Sequence, residues 1–385
     1  MIVIDKKSDC SGCEACAAAC AVGCITYRAD SEGFRYPVVD ESRCIGCGAC
    51  NAICPVESRR PAITPRATYG VVNPDREVRR SSSSGGLFTL LAEQILESDG
   101  VVFGAAFDEQ GEVYHRGVES SAELALLRGS KYLQSRAEVV YGDALSAVGE
   151  GRRVLFSGTP CQVSAFLHLV PNQLRDNVLA VDVVCHGVPS PAVWRARLSE
   201  ITGGGKPLKI NFRDKRNSWA EYGVAVEYRR ADGVTEESFT PKNKEPFLRG
   251  FFEDLCCRPA CAECPSKGFS SGADLTLGDL WGAEKRYPED GVGVVFVGSE
   301  RGAKALESAG AELFAADYHE VVAHNPSIER SNPAHPNREK FFSDLALLDQ
   351  SGKGVAALID RQLKKPFAEL VRGFVKRKIK SIIGR

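Results

Sequence analysis

Apolar residues recur at helical spacing over residues 87–98, 137–148, 161–170, 192–201 and 301–309. Between them stand short apolar runs, 101–107, 153–156, 178–184 and 292–297, that read as buried strands. This alternation predicts an α/β body with a mixed sheet covered by helices. Three further segments, 208–213, 222–229 and 234–240, alternate as solvated strands do and predict a β-rich insertion. Ahead of the body the pattern changes: residues 1–66 have few apolar runs and many cysteines, and a polar, arginine-rich stretch at 67–84 reads as a linker. With 385 residues, 43% hydrophobic and 26% charged, the chain has the composition of an ordinary globular protein of two or three domains.

The cysteines change this picture most. There are 15 in the chain, and nine fall at positions 10, 13, 16, 20, 24, 44, 47, 50 and 54. The first stands too near Met1 to leave room for a signal peptide, and no apolar run reaches membrane-spanning length. The expectation is a cytoplasmic protein whose clustered cysteines bind metal rather than form disulfides. Cys10-Ser-Gly-Cys-Glu-Ala-Cys-Ala-Ala-Ala-Cys20 and Cys44-Ile-Gly-Cys-Gly-Ala-Cys-Asn-Ala-Ile-Cys54 are two copies of C-x2-C-x2-C-x3-C. That is the two-cluster ferredoxin signature, in which the fourth cysteine crosses to the other cluster. One 4Fe-4S cluster is thus expected on Cys10, Cys13, Cys16 and Cys54, the other on Cys44, Cys47, Cys50 and Cys20. Zinc sites use paired C-x2-C knuckles instead. Gly12 and Gly46 permit the tight turns, and Cys24 is left without a ligand role. Each copy precedes a β-like segment, 24–27 and 62–64, so an α+β ferredoxin-like two-cluster domain is expected.

In the body, four segments place polar and glycine residues where a core would not. Ser81-Ser-Ser-Ser-Gly-Gly-Leu87 precedes a helix and could cradle a phosphate, or serve as a flexible linker. Arg128-Gly-Ser-Lys-Tyr-Leu-Gln134 reads as a ligand clamp. Ser157-Gly-Thr-Pro-Cys161-Gln162 and Val184-Cys185-His186-Gly187 each follow a strand, at the edge where α/β sheets bind ligands. Finally, Cys261 and Cys264 form a metal knuckle. Its other two ligands could be Cys256 and Cys257, favouring zinc, or Cys161 and Cys185, favouring a third cluster; spacing leaves both open.

These landmarks are similar to those of the beta-subunit family of coenzyme F-420 hydrogenase/dehydrogenase, whose plant and cyanobacterial relatives include 7-hydroxymethyl chlorophyll a reductase. They run in order as Ser83-Ser84-Gly85-Gly86, Gly129-Ser130-Lys131-Tyr132, Gly158-Thr159-Pro160-Cys161-Gln162, Cys185-His186-Gly187, and Cys261-x-x-Cys264 followed by Ala273-Asp274-Leu275-Thr276-Leu277-Gly278-Asp279. The resemblance spans residues 80–330 and implies an iron–sulfur flavoprotein. It implies FAD at Ser83, Ser84, Gly85, Gly86 and Lys131, and a third 4Fe-4S cluster on Cys161, Cys185, Cys261 and Cys264, with Cys256 and Cys257 outside it. His186 and Asp279 become the candidate catalytic groups. The implied domains are 1–66 for two clusters, 67–84 as linker, 85–155 for flavin, 156–335 for the third cluster and 336–385 as a helical basic tail.

The function so implied is an oxidoreductase that takes electrons from a ferredoxin or other one-electron donor protein and passes them through the clusters to FAD and an organic substrate. The alternatives are a coenzyme F-420 (deazaflavin)-dependent enzyme and a non-catalytic electron-transfer subunit. A net charge of −1 argues against a nucleic-acid partner. Residues 361–385, however, hold nine basic groups against one acid, so the tail is formally +8 and the rest −9. Its apolar residues Phe367, Leu370, Val371, Phe374, Ile379 and Ile382 share one helical face, which suits either peripheral contact with the inner face of a membrane or packing on the body.

Overall fold

The computed structural model describes residues 1–287, 289–348 and 354–364. The amino-terminal unit is a hairpin of β1 (Ile25–Ala29) and β2 (Arg35–Val39), with one-turn helices α1 (Ala15–Ala18) and α2 (Ala49–Ala52). The predicted segment 62–64 is not a strand; β2 takes the place beside β1. The Ile63 amide instead donates to Gly268 O of the body at 3.1 Å.

The body contains β3 (Ala67–Val72), β4 (Val101–Phe107), β5 (Val113–Val118), β6 (Val154–Gly158), β7 (Val178–Val183), β8 (Lys206–Asp214), β9 (Gly223–Arg229), β10 (Thr235–Pro241), β11 (Leu275–Asp279), β12 (Gly293–Val297) and β13 (Glu312–Ala315). Eight of these form one sheet in the order β13-β3-β12-β11-β7-β6-β4-β5. Strands β4, β6, β7 and β11 run parallel, and antiparallel pairs flank them on both sides, so the sheet is mixed as expected.

The strand pattern follows from burial on both faces. Val101, Phe103, Val154, Phe156, Val178 and Ala180 point one way, toward α6 (Val140–Gly149) and α7 (Pro160–Leu169). Val102, Leu155, Leu179 and Val181 point the other way, toward α4 (Leu87–Glu97) and α10 (Glu300–Ser308). Phe156 is fully buried and stacks on Phe166 with ring centroids 4.2 Å apart. Burying one such ring stabilises by about 1.5–3 kcal/mol. Strands β8, β9 and β10 form the predicted antiparallel insertion. It packs with α8 (Pro191–Thr202), α9 (Pro246–Phe252), α12 (Arg338–Leu345) and α13 (Val355–Leu363) around Trp194, Phe212 and Phe247.

Two boundary expectations are corrected. The stretch 67–84 is no linker: β3 pairs with both β12 and β13, and helix α3 (Arg76–Ser81) follows, capped by Asp75. Its polar, arginine-rich composition hid it, because only Gly70, Val71 and Val72 are buried. The division at 155/156 falls inside β6, which hydrogen-bonds to strands from both sides of it. The amphipathic pattern proposed for the tail lies at 367–382, outside the described residues. Among the described residues no helix is long and apolar enough to cross a membrane.

Candidate functional site

Both cysteine motifs fold alike. Gly12 and Gly46 adopt φ of +71° and +68°, and two residues on, Glu14 and Gly48 adopt +65° and +76°. These left-handed residues turn each chain back on itself so that its cysteines converge. Burial, then Cys161, Cys16 and Cys54 among its neighbours, pushes the Cys13 thiol up. Burial pushes Cys16 up to about 12, with Cys10 and Cys54 contributing. Cys50 acts on Cys16 as well, and Cys16, Cys50 and Cys54 share one buried cluster with Cys20, Cys24 and Cys44, so the cysteines of both copies crowd together. Cys20 Sγ lies 3.3 Å from the Cys24 Sγ, and Cys44 also acts on the Cys24 thiol. The Tyr27 hydroxyl, which sequence reasoning did not single out, lies 3.0 Å from Cys16 Sγ.

The first copy is docked on the body. Cys13 and Ala15 belong to the same buried cluster as Tyr141 and Phe166. Tyr141 donates to Cys13 O at 2.7 Å, and Gln134 donates to Ser11 O and Gly12 O at 2.9 and 2.8 Å. Glu14 accepts from the amides of Ala137 and Glu138 at 2.7 and 3.2 Å and pairs with Arg35 at 3.0 Å. This dense contact holds a non-glycine residue at positive φ.

The body cysteines come together through the sheet. Neighbouring parallel strands β6 and β7 pair Gly158 with Asp182, and Cys161 and Cys185 each follow three residues later. Cys161, Cys185, Cys261 and Cys264 all line one small cavity, with Ser11 of the docked motif in its wall. Burial, then the neighbouring Cys264, pushes the Cys161 thiol up to about 12. Burial pushes Cys261 up to about 11 and also raises Cys185 and Cys264. Four partly buried thiols crowded this way oppose each other's ionisation, which bound iron would offset by replacing their protons. The donor set fits a 4Fe-4S cluster. Cys256 lies in the core of the insertion. Cys257 does not line the cavity; its sulfur lies with His186 and Asp254, their ligand-type atoms all within 4.8 Å.

Beside this cavity opens a larger one of about 450 Å³. Ser82–Gly86, Arg128–Lys131, Tyr132, His115, Arg213, Asp279 and Trp281 line it. The Ser83 Oγ accepts from the Ser130 amide and hydroxyl at 2.6 and 2.8 Å, joining the first two landmark loops. A Cβ at Gly85 would stand 2.1 Å from Val71 O, so only glycine lets this loop lie on the sheet. Lys131 lines the cavity, but its Nζ donates to Leu126 O, Leu127 O and Arg128 O at 3.0, 2.9 and 3.0 Å. Burial pulls its ammonium down to about 7, whereas the three carbonyls hold the proton in place.

His186 and Asp279 both line this cavity but do not meet. His186 Nε2 lies 3.0 Å from Asp254. Asp279 ends β11 and accepts both Nη groups of the buried Arg213 at 2.9 and 3.0 Å, together with Trp219 Nε1 at 3.2 Å. Its carboxylate is thereby engaged in an ion pair. Sequence reasoning missed Arg213 and His115. No local signal marked Arg213: a register shift between Asn211 and Asp214 interrupts the strand alternation around it. His115 lies between Ser135 Oγ and Ser157 O, and burial pulls its imidazole down to about 4.

Residues 9–58 match the family model of the 4Fe-4S dicluster domain. Residues 151–318 match that of the carboxyl-terminal region of the coenzyme F420 hydrogenase/dehydrogenase beta chain. The protein is an iron–sulfur electron-transfer protein with a role related to oxidoreductases. Over residues 151–318 it is similar to the coenzyme F420 hydrogenase/dehydrogenase beta-subunit family. A chain of the F420-reducing nickel–iron hydrogenase complex from Methanosarcina barkeri is similar at 16% identity, over 79% of this chain and 93% of that one, with a TM-score of 0.46. No curated protein matches the chain.

Proposed function

We propose that this chain is an iron–sulfur flavoprotein oxidoreductase that carries electrons from an external one-electron donor protein, such as a ferredoxin, to an organic substrate. The observation that carries the reading is a shared wall. Thr159, Val183, Val184, Cys185, His186, Gly187 and Val188 line both the four-cysteine cavity and the larger one. On the other side, Ser11 of the first motif lines the four-cysteine cavity. When bound, clusters supply single electrons and a flavin stores two and exchanges hydride. The residues that would hold these groups are the two amino-terminal quartets, Cys161, Cys185, Cys261 and Cys264, and the loops Ser83–Gly86 and Arg128–Lys131.

In this reading the domains act in series. The exposed Cys47 marks the side that meets the donor, the first motif passes electrons inward, and the larger cavity takes FAD and substrate. Asp279 orients Arg213 at that cavity, and Asp254 orients the His186 ring in the shared wall. The test is the composition of anaerobically purified protein, with about twelve iron atoms and one FAD per chain expected. About eight iron plus one zinc sinks the third cluster.

The matched family's description favours a second reading, in which the substrate is coenzyme F-420. Stopped-flow mixing with reduced F-420 separates the two, since no bleaching by flavin-replete protein excludes it. Substrate turnover by the isolated chain would exclude a purely electron-carrying subunit.

A further inference from the structure

Arg258 is 1% exposed, yet none of the groups that accept its hydrogen bonds is a carboxylate. Its guanidinium donates to Cys10 O at 2.7 Å, Gln134 Oε1 at 2.9 Å, Arg35 O at 2.9 Å and Cys10 Sγ at 3.4 Å. It lies over the Tyr36 ring at 4.3 Å. A guanidinium stays charged in any protein, and burying one without an opposite charge costs several kcal/mol. Carbonyl dipoles and a ring face offset only part of that cost. The missing anion must lie nearby, and the groups nearby are cysteines of two different sets. Besides touching Cys10 Sγ, Arg258 starts the short turn Pro259–Glu263 that carries Cys261. Its own backbone ties the two together, since the Cys261 amide donates to Arg258 O at 2.9 Å. Among the described residues no arginine donates to a sulfur of Cys20, Cys44, Cys47 or Cys50.

We propose that Arg258 is the shared countercharge of two anionic clusters, one on Cys10, Cys13, Cys16 and Cys54 and one on Cys161, Cys185, Cys261 and Cys264. The inference rests on the third cluster of the proposed function. A fixed cation stabilises the reduced, more negative state of each cluster and so raises both reduction potentials. The outer cluster, without such a cation, stays lower. One electron from the donor protein then moves downhill from the outer cluster, which is reoxidised, to the inner one, which is reduced. Arg258 is thus a positioning and tuning residue that undergoes no chemistry itself. Lys267 makes the contrast. Its Nζ donates to Cys185 O and Ser327 O at 2.5 and 2.6 Å, and it lines the cavity of the second cysteine set.

The test is an EPR-monitored redox titration of the full chain, comparing wild type with Arg258→Gln, Arg258→Lys and Lys267→Met. At fixed potential, Arg258→Gln should lower the reduced-to-oxidised ratio of two clusters at least tenfold, or 59 mV for a one-electron couple, and leave the third unmoved. Lys267→Met should move one midpoint only. Arg258→Lys restores the charge without the four-donor fit and should move the same two midpoints by less. Should Arg258→Gln fail to fold, unchanged midpoints in Arg258→Lys overturn the inference. Full iron content with three unmoved midpoints in Arg258→Gln overturns it alone, whereas about eight iron atoms in the wild type overturns the third cluster and this inference together.

Discussion

The two copies of the cysteine motif match at seven of eleven positions and share one backbone path, yet they live in opposite surroundings. The first is pressed against the body. Ser11 is 8% exposed and Ala15 is fully buried. The second faces outward, with Ile45 67% exposed and open space around Gly46 and Gly48. Where the second copy uses glycine to reach positive φ, the first uses Glu14 and holds it there with two amides and an arginine. The turn geometry is therefore set within each motif, while the four positions that differ record what each copy faces. An electron carrier needs both faces: one that meets a partner, and one that excludes water and keeps a fixed distance to the next centre.

The sharpest way to break this contrast is Glu14→Ala. It leaves the amides of Ala137 and Glu138 without an acceptor and should destabilise the protein by about 3 kcal/mol. The equivalent outer change, Gly48→Ala, introduces only left-handed strain of about 1 kcal/mol. Thermal unfolding of the two variants should rank them in that order, and equal costs would mean the first copy is not docked as described.

Acid provides a second lever. His115 braces Ser135 in the platform under the first motif, and its depressed pKa means that the unfolded chain binds the proton more readily. Stability is complete above pH 6.5 and falls as pH drops from 6.5 toward 4, by up to about 3 kcal/mol. Hydrogen exchange should speed up across residues 10–20 over that range while residues 44–54 keep their rates. His115→Gln should flatten the dependence.

Exchanging the second residue of each motif gives the smaller effects. Ser11→Ile overfills the wall of the four-cysteine cavity and should cost about 1–3 kcal/mol. Ile45→Ser, on the exposed copy, should stay within about 0.5 kcal/mol in stability and show its effect only in the rate of reduction by a donor protein. A stability loss from Ile45→Ser would show that the outer copy is covered too.

Much of this was legible in the chain itself. The C-x2-C-x2-C-x3-C spacing is local, so a dicluster domain is legible from sequence alone, and residues 9–58 match that family's model. Strand β4 was read to the residue, because burial on both faces leaves an uninterrupted apolar run. Strands at the sheet's periphery were not: β3 begins Ala67-Thr68-Tyr69 and is buried only at its end. Strand β11 is a short alternation ending in charge, and it reads as a motif before it reads as a strand.

The sequence by itself determined where the cysteine motifs and glycine-serine loops lie, since these are properties of a few consecutive positions. The tertiary structure decided which of them meet. Cys161 and Cys185 lie beside each other because β6 and β7 pair in parallel, and Cys261 and Cys264 reach them across a separation no local rule spans. The same packing turned Lys131 onto carbonyls, gave Asp279 to Arg213, and buried Arg258 between two cysteine sets with no carboxylate to answer it. Such long-range placements depend on the summed burial of two sheet faces and an insertion, a quantity that no single motif contains.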